Sequence, residues 1–242
     1  MSPVHAPNVP DRFILPDVQP LVSELDEPVT ASVLLSGDPR RASADAFVRS
    51  IFADAYRAKV CSSYPALLTF EGRNGERAAV GLRDASRQTL FAEQYLDATV
   101  GDALHSELGV SVPRTMLVEV GNLALCNGGD ARWVIAATTL FLHALGYRFA
   151  IFTATRMLQN TFRRLGLQPV SLTRADPARV SNGGDDWGEY YGTRPVVCAG
   201  RISSGYRKLV EHSLQHQPYL HALLADVRGL ASRSAACVGG SA

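Results

Sequence analysis

Residues 118–152 read VEVGNLALCNGGDARWVIAATTLFLHALGYRFAIF and carry more structural information than any other part of the chain. Apolar residues first alternate as they do in a strand, and a glycine-containing loop follows. Asp130 is of a type that caps helices, the residues after it form a broad apolar helical face, and Gly146 ends that helix. Residues 149–153 predict a buried strand. This order of strand, loop, helix and strand predicts an α/β fold.

Patterns on both sides of this segment predict further strands and helices. Runs of β-branched and apolar residues are typical of strands, whereas apolar residues at helical spacing are typical of amphipathic helices. The predicted strands are residues 30–36, 66–70, 78–82, 116–125, 149–153, 170–173 and 194–199, and the further predicted helices are residues 47–59 and 156–165. We expect a central mixed β-sheet flanked by helices, an α/β (α+β mixed) architecture.

Composition divides the chain into four parts. Residues 1–28 are rich in proline and predict a flexible N-terminal arm. Residues 29–202 hold the predicted strands and form the folded domain. Residues 203–230 predict a C-terminal helical appendage, interrupted by Pro218, and residues 231–242 predict a disordered tail.

Composition and charge exclude several classes of protein. With 46% hydrophobic residues among 242, general disorder is excluded. A balance of 24 basic and 23 acidic residues argues against nucleic-acid binding. The apolar residues 134–152 include His143, Arg148 and Gly146, which argues against a membrane span. The four cysteines have no CxxC spacing, no HExxH motif is present, and no secretory signal is evident, so we expect a cytoplasmic protein without a metal site.

The loop before the predicted central helix is a candidate phosphate-binding cradle. Backbone N–H groups and the positive end of the helix dipole meet there. The GxGxxG and GK[ST] motifs are absent, and the pattern Cys126-x-x-Gly129-x-Ala131 remains. Arginines on the predicted helix 156–165 either contact phosphates or an acidic partner, or belong to a solvated helix face. The candidate cofactor-binding residues are Leu123, Leu125, Cys126, Asn127, Gly128, Gly129, Asp130, Ala131, Arg156, Asn160 and Arg163.

This segment resembles motif A of the GNAT superfamily of N-acyltransferases, whose pyrophosphate loop reads Gln/Arg-x-x-Gly-x-Gly/Ala. Gly129 and Ala131 match this pattern, and Cys126 departs from it. Four further blocks resemble the bacterial thermostable hemolysin family, to which acyl-homoserine-lactone synthases are related: FVRSIFADAYRAKV (47–60), LFAEQYLD (90–97), VEVGNLA (118–124) and DDWGEYYGTRPVVCAG (185–200). The resemblance implies a GNAT-like acyltransferase domain over residues 29–202.

Four residues are candidates for catalysis. Glu119 is a lone carboxylate in an apolar strand, so burial should raise its pKa; it is either the base that takes the amine's proton or a structural partner of an arginine across the sheet. Glu93 either binds the acceptor's amine or lies on a solvated turn. Tyr190 and Tyr191 belong either to an acceptor lid or to a packed turn. Residues 153–170 (TATRMLQNTFRRLGLQPV) resemble motif B of the GNAT superfamily, in which many members have a tyrosine and an asparagine where this chain has Phe162 and Thr155.

The resemblance implies an enzyme that moves a fatty acyl group from a phosphopantetheine thioester to an amine or amino-acid-like acceptor. The donor is either acyl-CoA or acyl carrier protein, with no permanently bound cofactor, and the donor is expected between the motif A strand and the next strand. Residues 47–59 and 90–97 should shape the acyl and acceptor sides. A homodimer is compatible with this reading. The alternatives are a membrane-active hemolysin and an inactive acyl-CoA-binding sensor.

Overall fold

The computed structural model describes residues 19–21, 29–59 and 64–216, together with Gly229. Eight strands form one sheet in the order β1-β2-β3-β4-β5-β6-β8-β7. The strands are β1 (Gln19–Leu21), β2 (Val29–Leu35), β3 (Ala66–Gly72), β4 (Gly75–Asp84), β5 (Leu117–Leu125), β6 (Phe149–Ala154), β7 (Val170–Arg174) and β8 (Val196–Arg201). The helices are α1 (Arg41–Tyr56), α2 (Val100–Leu108), α3 (Ala131–Ala144), α4 (Arg156–Arg164) and α5 (Ile202–His216).

The sheet is mixed, as predicted. Strands β5 and β6 are parallel, and α3 forms the crossover between them, while all other neighbouring strands are antiparallel. A parallel pair requires such a crossover, which the apolar residues of α3 supply by packing against the sheet. Helix α1 packs against the opposite face, over β4 and β5. The predicted α/β class is confirmed.

Strand β5 separates from β6 after the first third of its length. The two strands pair only from Leu117 to Glu119, opposite Phe149 to Ile151. On the other side of β5, Gly121 pairs with Gly81 of β4 and Ala124 pairs with Ala79. The β5 segment between these pairs is therefore one residue longer than the β4 segment. The extra residue is a β-bulge, and Asn122 adopts a left-handed conformation with φ of 48°. Past the bulge, the edge of β5 that faces β6 has no strand partner in the described sheet.

The structure describes only parts of the two predicted terminal segments, and the predicted helix cap at Asp130 differs in detail. The N-terminal arm includes β1, which pairs with β2 through backbone hydrogen bonds; the rest of residues 1–28 lies outside the described residues. The C-terminal helix α5 covers residues 202–216, and the remainder of the predicted appendage and tail, Gly229 excepted, is also outside them. Asp130 precedes α3, but its carboxylate makes no capping hydrogen bond.

Candidate active site

A pocket passes through the sheet where β5 and β6 diverge. On the α3 side its wall is apolar and includes Leu123 and Leu125 from β5 and Phe152 from β6. On the α1 side its wall is aromatic, with Glu119 as the one carboxylate among its lining residues. The aromatic lining residues there are Phe52, Tyr56, Tyr64, Phe91, Tyr95, Trp187 and Tyr190. Because the strands separate, residues from both faces of the sheet line one continuous pocket.

The Glu119 side chain is held by three hydrogen bonds. Its Oε1 accepts from the Ala92 N–H at 2.7 Å, and its Oε2 accepts from the Phe91 N–H at 2.9 Å and from Arg83 at 3.2 Å. Arg83 is the cross-strand neighbour of Glu119 in β4, so the predicted structural pairing is present. Burial raises the pKa of Glu119, and Arg83 and the two amides oppose that rise. The carboxylate both lines the pocket and fixes the turn at Phe91.

The structure does not bring Glu93 into this pocket. Its carboxylate forms a two-pronged ion pair with Arg114, at 2.6 and 3.1 Å, and accepts from the N–H groups of Leu90 and Val100. Burial alone would raise the pKa of Glu93, but these hydrogen bonds lower it. Glu93 therefore stays ionised and organises the start of the turn at residues 91–95.

The two candidate tyrosines have different positions. Tyr190 is buried, lines the pocket and contacts Tyr56 edge to face with ring centroids 5.2 Å apart. Tyr191 is not among the lining residues; its hydroxyl forms a 2.7 Å hydrogen bond with the hydroxyl of Tyr95. Trp187 packs against Phe91 and Tyr190, and so connects the loop of residues 185–191 to the turn at residues 91–95.

Fewer N–H groups of the predicted cradle are available to a ligand than expected. The Cys126 N–H donates to the Arg77 carbonyl and the Asp130 N–H to the Asn127 carbonyl, so these two groups are occupied. Within the described residues, no acceptor pairs with the N–H groups of Asn127, Gly128 or Gly129. The Asp130 carboxylate, expected near the ligand, instead binds Arg77 and the Trp133 indole, each at 2.8 Å. Of residues 126–131, Gly128 and Ala131 line the pocket.

The polar candidates on α4 point away from the pocket. Arg156, Asn160 and Arg163 are exposed, and Arg163 donates a hydrogen bond to the Asn160 side chain. The α4 residues that line the pocket are Met157, Leu158, Thr161 and Phe162. The exposed residues form a basic surface beside the pocket, as a solvated helix face would.

The sequence profile of the thermostable hemolysin family matches residues 34–206, which include the whole pocket. The chain belongs to the thermostable hemolysin family. No functionally curated protein matches the sequence of this hemolysin-family chain. No helix among the described residues is long and apolar enough to cross a membrane. In the same part of the chain, no group of three or more His, Cys, Asp or Glu side chains could hold a metal ion.

Solved structures share the fold of this hemolysin-family protein at low sequence identity. FeeM, an N-acyl amino acid synthase from uncultured soil microbes, has a TM-score of 0.53 at 11% identity, over 79% of this chain and 100% of FeeM. BjaI, a CoA-dependent acyl-homoserine lactone synthase solved with SAM and isopentyl-CoA, has a TM-score of 0.51 at 10% identity, over 81% and 96% of the two chains. Apo TofI has a TM-score of 0.51 at 16% identity, over 74% and 95%.

Sequence reasoning missed Tyr64, which lines the pocket on the α1 side. Its ring lies across Gly81 and Gly121, which face each other in β4 and β5. A Cβ at Gly81 would lie 2.5 Å from Cγ of Tyr64, and a Cβ at Gly121 would collide with its hydroxyl. Glycine inside a strand often marks a close approach of another group, so the two strand glycines were the available signal.

Proposed function

We propose that this hemolysin-family protein is an N-acyltransferase that moves a fatty acyl group from a phosphopantetheine thioester to an amine or amino-acid-like acceptor. The observation that carries the proposal is the single pocket that joins an apolar wall on one face of the sheet to an aromatic, carboxylate-bearing wall on the other. Such a pocket lets a thioester and an amine enter from opposite sides and meet between β5 and β6. The shared fold of FeeM and BjaI supports this assignment.

The apolar half suits the acyl chain and the pantetheine arm. Leu123, Leu125, Ile135 and Phe152 provide the apolar surface that a fatty chain buries. At the mouth, the N–H groups of Gly128 and Gly129 lie at the start of α3 and suit the phosphates that precede the arm. Acyl-CoA and acyl carrier protein present the same phosphopantetheine thioester, so the pocket suits either of them as the donor.

The surface formed by Arg156, Asn160 and Arg163 suits the part of the donor that stays outside the pocket. These side chains are exposed and lie on the helix whose inner face lines the pocket. Guanidinium groups pair well with phosphates and carboxylates. In this proposal they bind the nucleotide phosphates of CoA or the acidic surface of a carrier protein.

The aromatic half suits the acceptor, and Glu119 serves as the base. Three hydrogen bonds occupy its carboxylate, which leaves one lone pair on Oε1. The amine nitrogen attacks the thioester carbonyl carbon, the C–N bond forms, and the amine proton passes to Glu119 directly or through one water. The C–S bond then breaks, and the thiolate takes a proton from solvent. Tyr190 and Trp187 form the wall beside the acceptor.

A thioester-consumption assay tests this function. Purified protein receives acyl-CoA and acyl-carrier-protein donors of increasing chain length with pooled amines, and thiol release is followed. We expect release that depends on an amine and is lost in Glu119→Gln. The control is Glu107→Gln, which changes the same group on α2, outside the pocket lining. Donor binding without thiol release would instead identify an acyl-CoA-binding sensor.

A further inference from the structure

The phenol of Tyr64 occupies the point where β5 leaves β6. Its ring runs from Gly81, beneath Cγ, to Gly121, beneath the hydroxyl. Gly121 lies two residues past the last β5 residue that pairs with β6 and directly before the bulge at Asn122. The hydroxyl therefore lies near the junction between the apolar and aromatic halves of the pocket.

Two glycines and an arginine set the position of this phenol. Any side chain at Gly81 or Gly121 would exclude the ring, although glycine weakens a central strand. The Arg83 guanidinium lies over the ring, 4.7 Å from its centroid. Tyr64 is only 5% exposed, yet it lines the pocket, and among the described residues none accepts a hydrogen bond from its hydroxyl. A rigidly held donor is thus aimed at pocket space.

We infer that the Tyr64 hydroxyl donates a hydrogen bond to the thioester carbonyl oxygen and stabilises the oxyanion that forms when the amine attacks. This inference rests on the proposed acyl transfer and adds a catalytic residue to it. During attack the carbonyl π electrons move to oxygen as the C–N bond forms, and they return when the C–S bond breaks. Donors fixed in advance at such an oxygen favour the transition state over the bound substrate.

The phenol acts as a fixed donor and not as an acid that gives up its proton. Burial raises the pKa of Tyr64 well above its ordinary value, and the nearby Glu119 charge raises it further, while Arg83 opposes this. The hydroxyl therefore keeps its proton throughout the neutral range. Its contribution to the rate should be independent of pH there, unlike that of Glu119.

The test is Tyr64→Phe, which removes the oxygen and keeps the ring over both glycines. We expect kcat to fall by about 10²-fold, with the KM for the thioester and the shape of the pH profile unchanged. Because no described residue loses a hydrogen-bond partner, thermal unfolding should be unaffected. Tyr206→Phe is the matched control, since that tyrosine on α5 lies outside the pocket lining.

Gly121→Ala provides an independent check, because the added methyl group displaces the hydroxyl. We expect a similar loss of kcat with the KM for the thioester unchanged. If wild-type protein transfers acyl groups and Tyr64→Phe keeps kcat within about twofold, the oxyanion role is wrong and the proposed function stands. If Tyr64→Phe raises KM but not kcat, Tyr64 only shapes the pocket, and the inference also fails. Absence of amine-dependent thiol release in the wild type would overturn both proposals.

Discussion

The carboxylate of Glu119 lies opposite the guanidinium of Arg83 on the neighbouring strand, with 3.2 Å between Oε2 and the nearest nitrogen. Their Cα atoms are register partners in β5 and β4. The ion pair is almost completely buried, with 3% and 12% of the two side chains exposed. An unpaired buried carboxylate would be costly, so Arg83 allows an ionised group to persist beside the pocket.

Glu119→Gln should abolish most acyl transfer. A glutamine cannot accept the amine proton, and loss of a general base lowers kcat by about 10²- to 10⁴-fold. Because the glutamine NH2 group must face one of the N–H donors that bind Glu119, thermal unfolding of the variant is measured in parallel. In the wild type, the acidic limb of the kcat/KM profile should lie above the ordinary glutamate pKa of about 4.3, because burial raises the pKa of Glu119. An acidic limb that persists unchanged in the variant would show that another group titrates.

Gly128→Pro should weaken donor binding and leave the fold intact. Proline removes one N–H of the proposed phosphate cradle, and Asn127 before it already has the extended conformation that proline requires, with φ of −125° and ψ of 131°. A lost hydrogen bond to a phosphate is worth about 2 kcal/mol, or roughly 30-fold in Kd for CoA by calorimetry. Gly128→Ala keeps the N–H and should bind normally. Equal affinities for the two variants would show that the Gly128 N–H does not bind a phosphate of the donor.

Glu93→Gln should destabilise the fold in a pH-dependent manner. The change weakens the Arg114 ion pair and lowers the free energy of unfolding by about 2 kcal/mol at pH 7. Because folding lowers the pKa of Glu93, its stabilising effect is present above the unfolded value of about 4.3 and is lost as the pH falls through the folded pKa. Urea unfolding at neutral and acidic pH should show the wild type and the variant converging in acid. A difference in the free energy of unfolding that stays the same at both pH values would show that the ionised Glu93 carboxylate is not its source.

Thr138→Val should stabilise the protein. The Thr138 hydroxyl is buried in α3, and among the described residues it has no hydrogen-bond partner. Valine has nearly the same shape and removes this unsatisfied group, so the free energy of unfolding should rise by about 1 kcal/mol. Thr139→Val is the control, because its hydroxyl donates to the Ile135 carbonyl at 2.8 Å and its removal brings no such gain. If urea unfolding shows that Thr138→Val is less stable than the wild type, the Thr138 hydroxyl does form a stabilising hydrogen bond and the prediction is wrong.

The sequence predicted the elements that follow local rules. The alternation around Glu119, the apolar face of α3 and the glycine that ends it depend on residues close in the chain, and the structure confirms the resulting mixed α/β sheet. The divergence of β5 and β6 occurs beside the bulge at Asn122, within a segment whose apolar alternation predicts one continuous strand. The pocket was therefore expected from the resemblance alone.

Contacts between distant segments account for the remaining differences. Glu93 pairs with Arg114, 21 residues away, and Tyr191 binds Tyr95, 96 residues away. No pattern within either segment reveals such partners. The position of the loop before a helix predicts that the N–H groups of Cys126 and Asp130 belong to the cradle, but they donate to the carbonyls of Arg77 on the neighbouring strand and of Asn127 in the loop. Tyr64 was missed because its role arises only from its contact with Gly81 and Gly121.

Mass spectrometry of the reaction mixture detects the product of acyl transfer itself. Wild-type protein would be incubated with an acyl-CoA or acyl carrier protein donor and pooled amines, with Glu119→Gln and Glu107→Gln in parallel. N-acyl transfer predicts an amide whose mass equals acyl group plus amine less one hydrogen, formed with one equivalent of thiol by the wild type and Glu107→Gln but not by Glu119→Gln. Donors that remain intact with every amine, or are hydrolysed without amide formation, would contradict it.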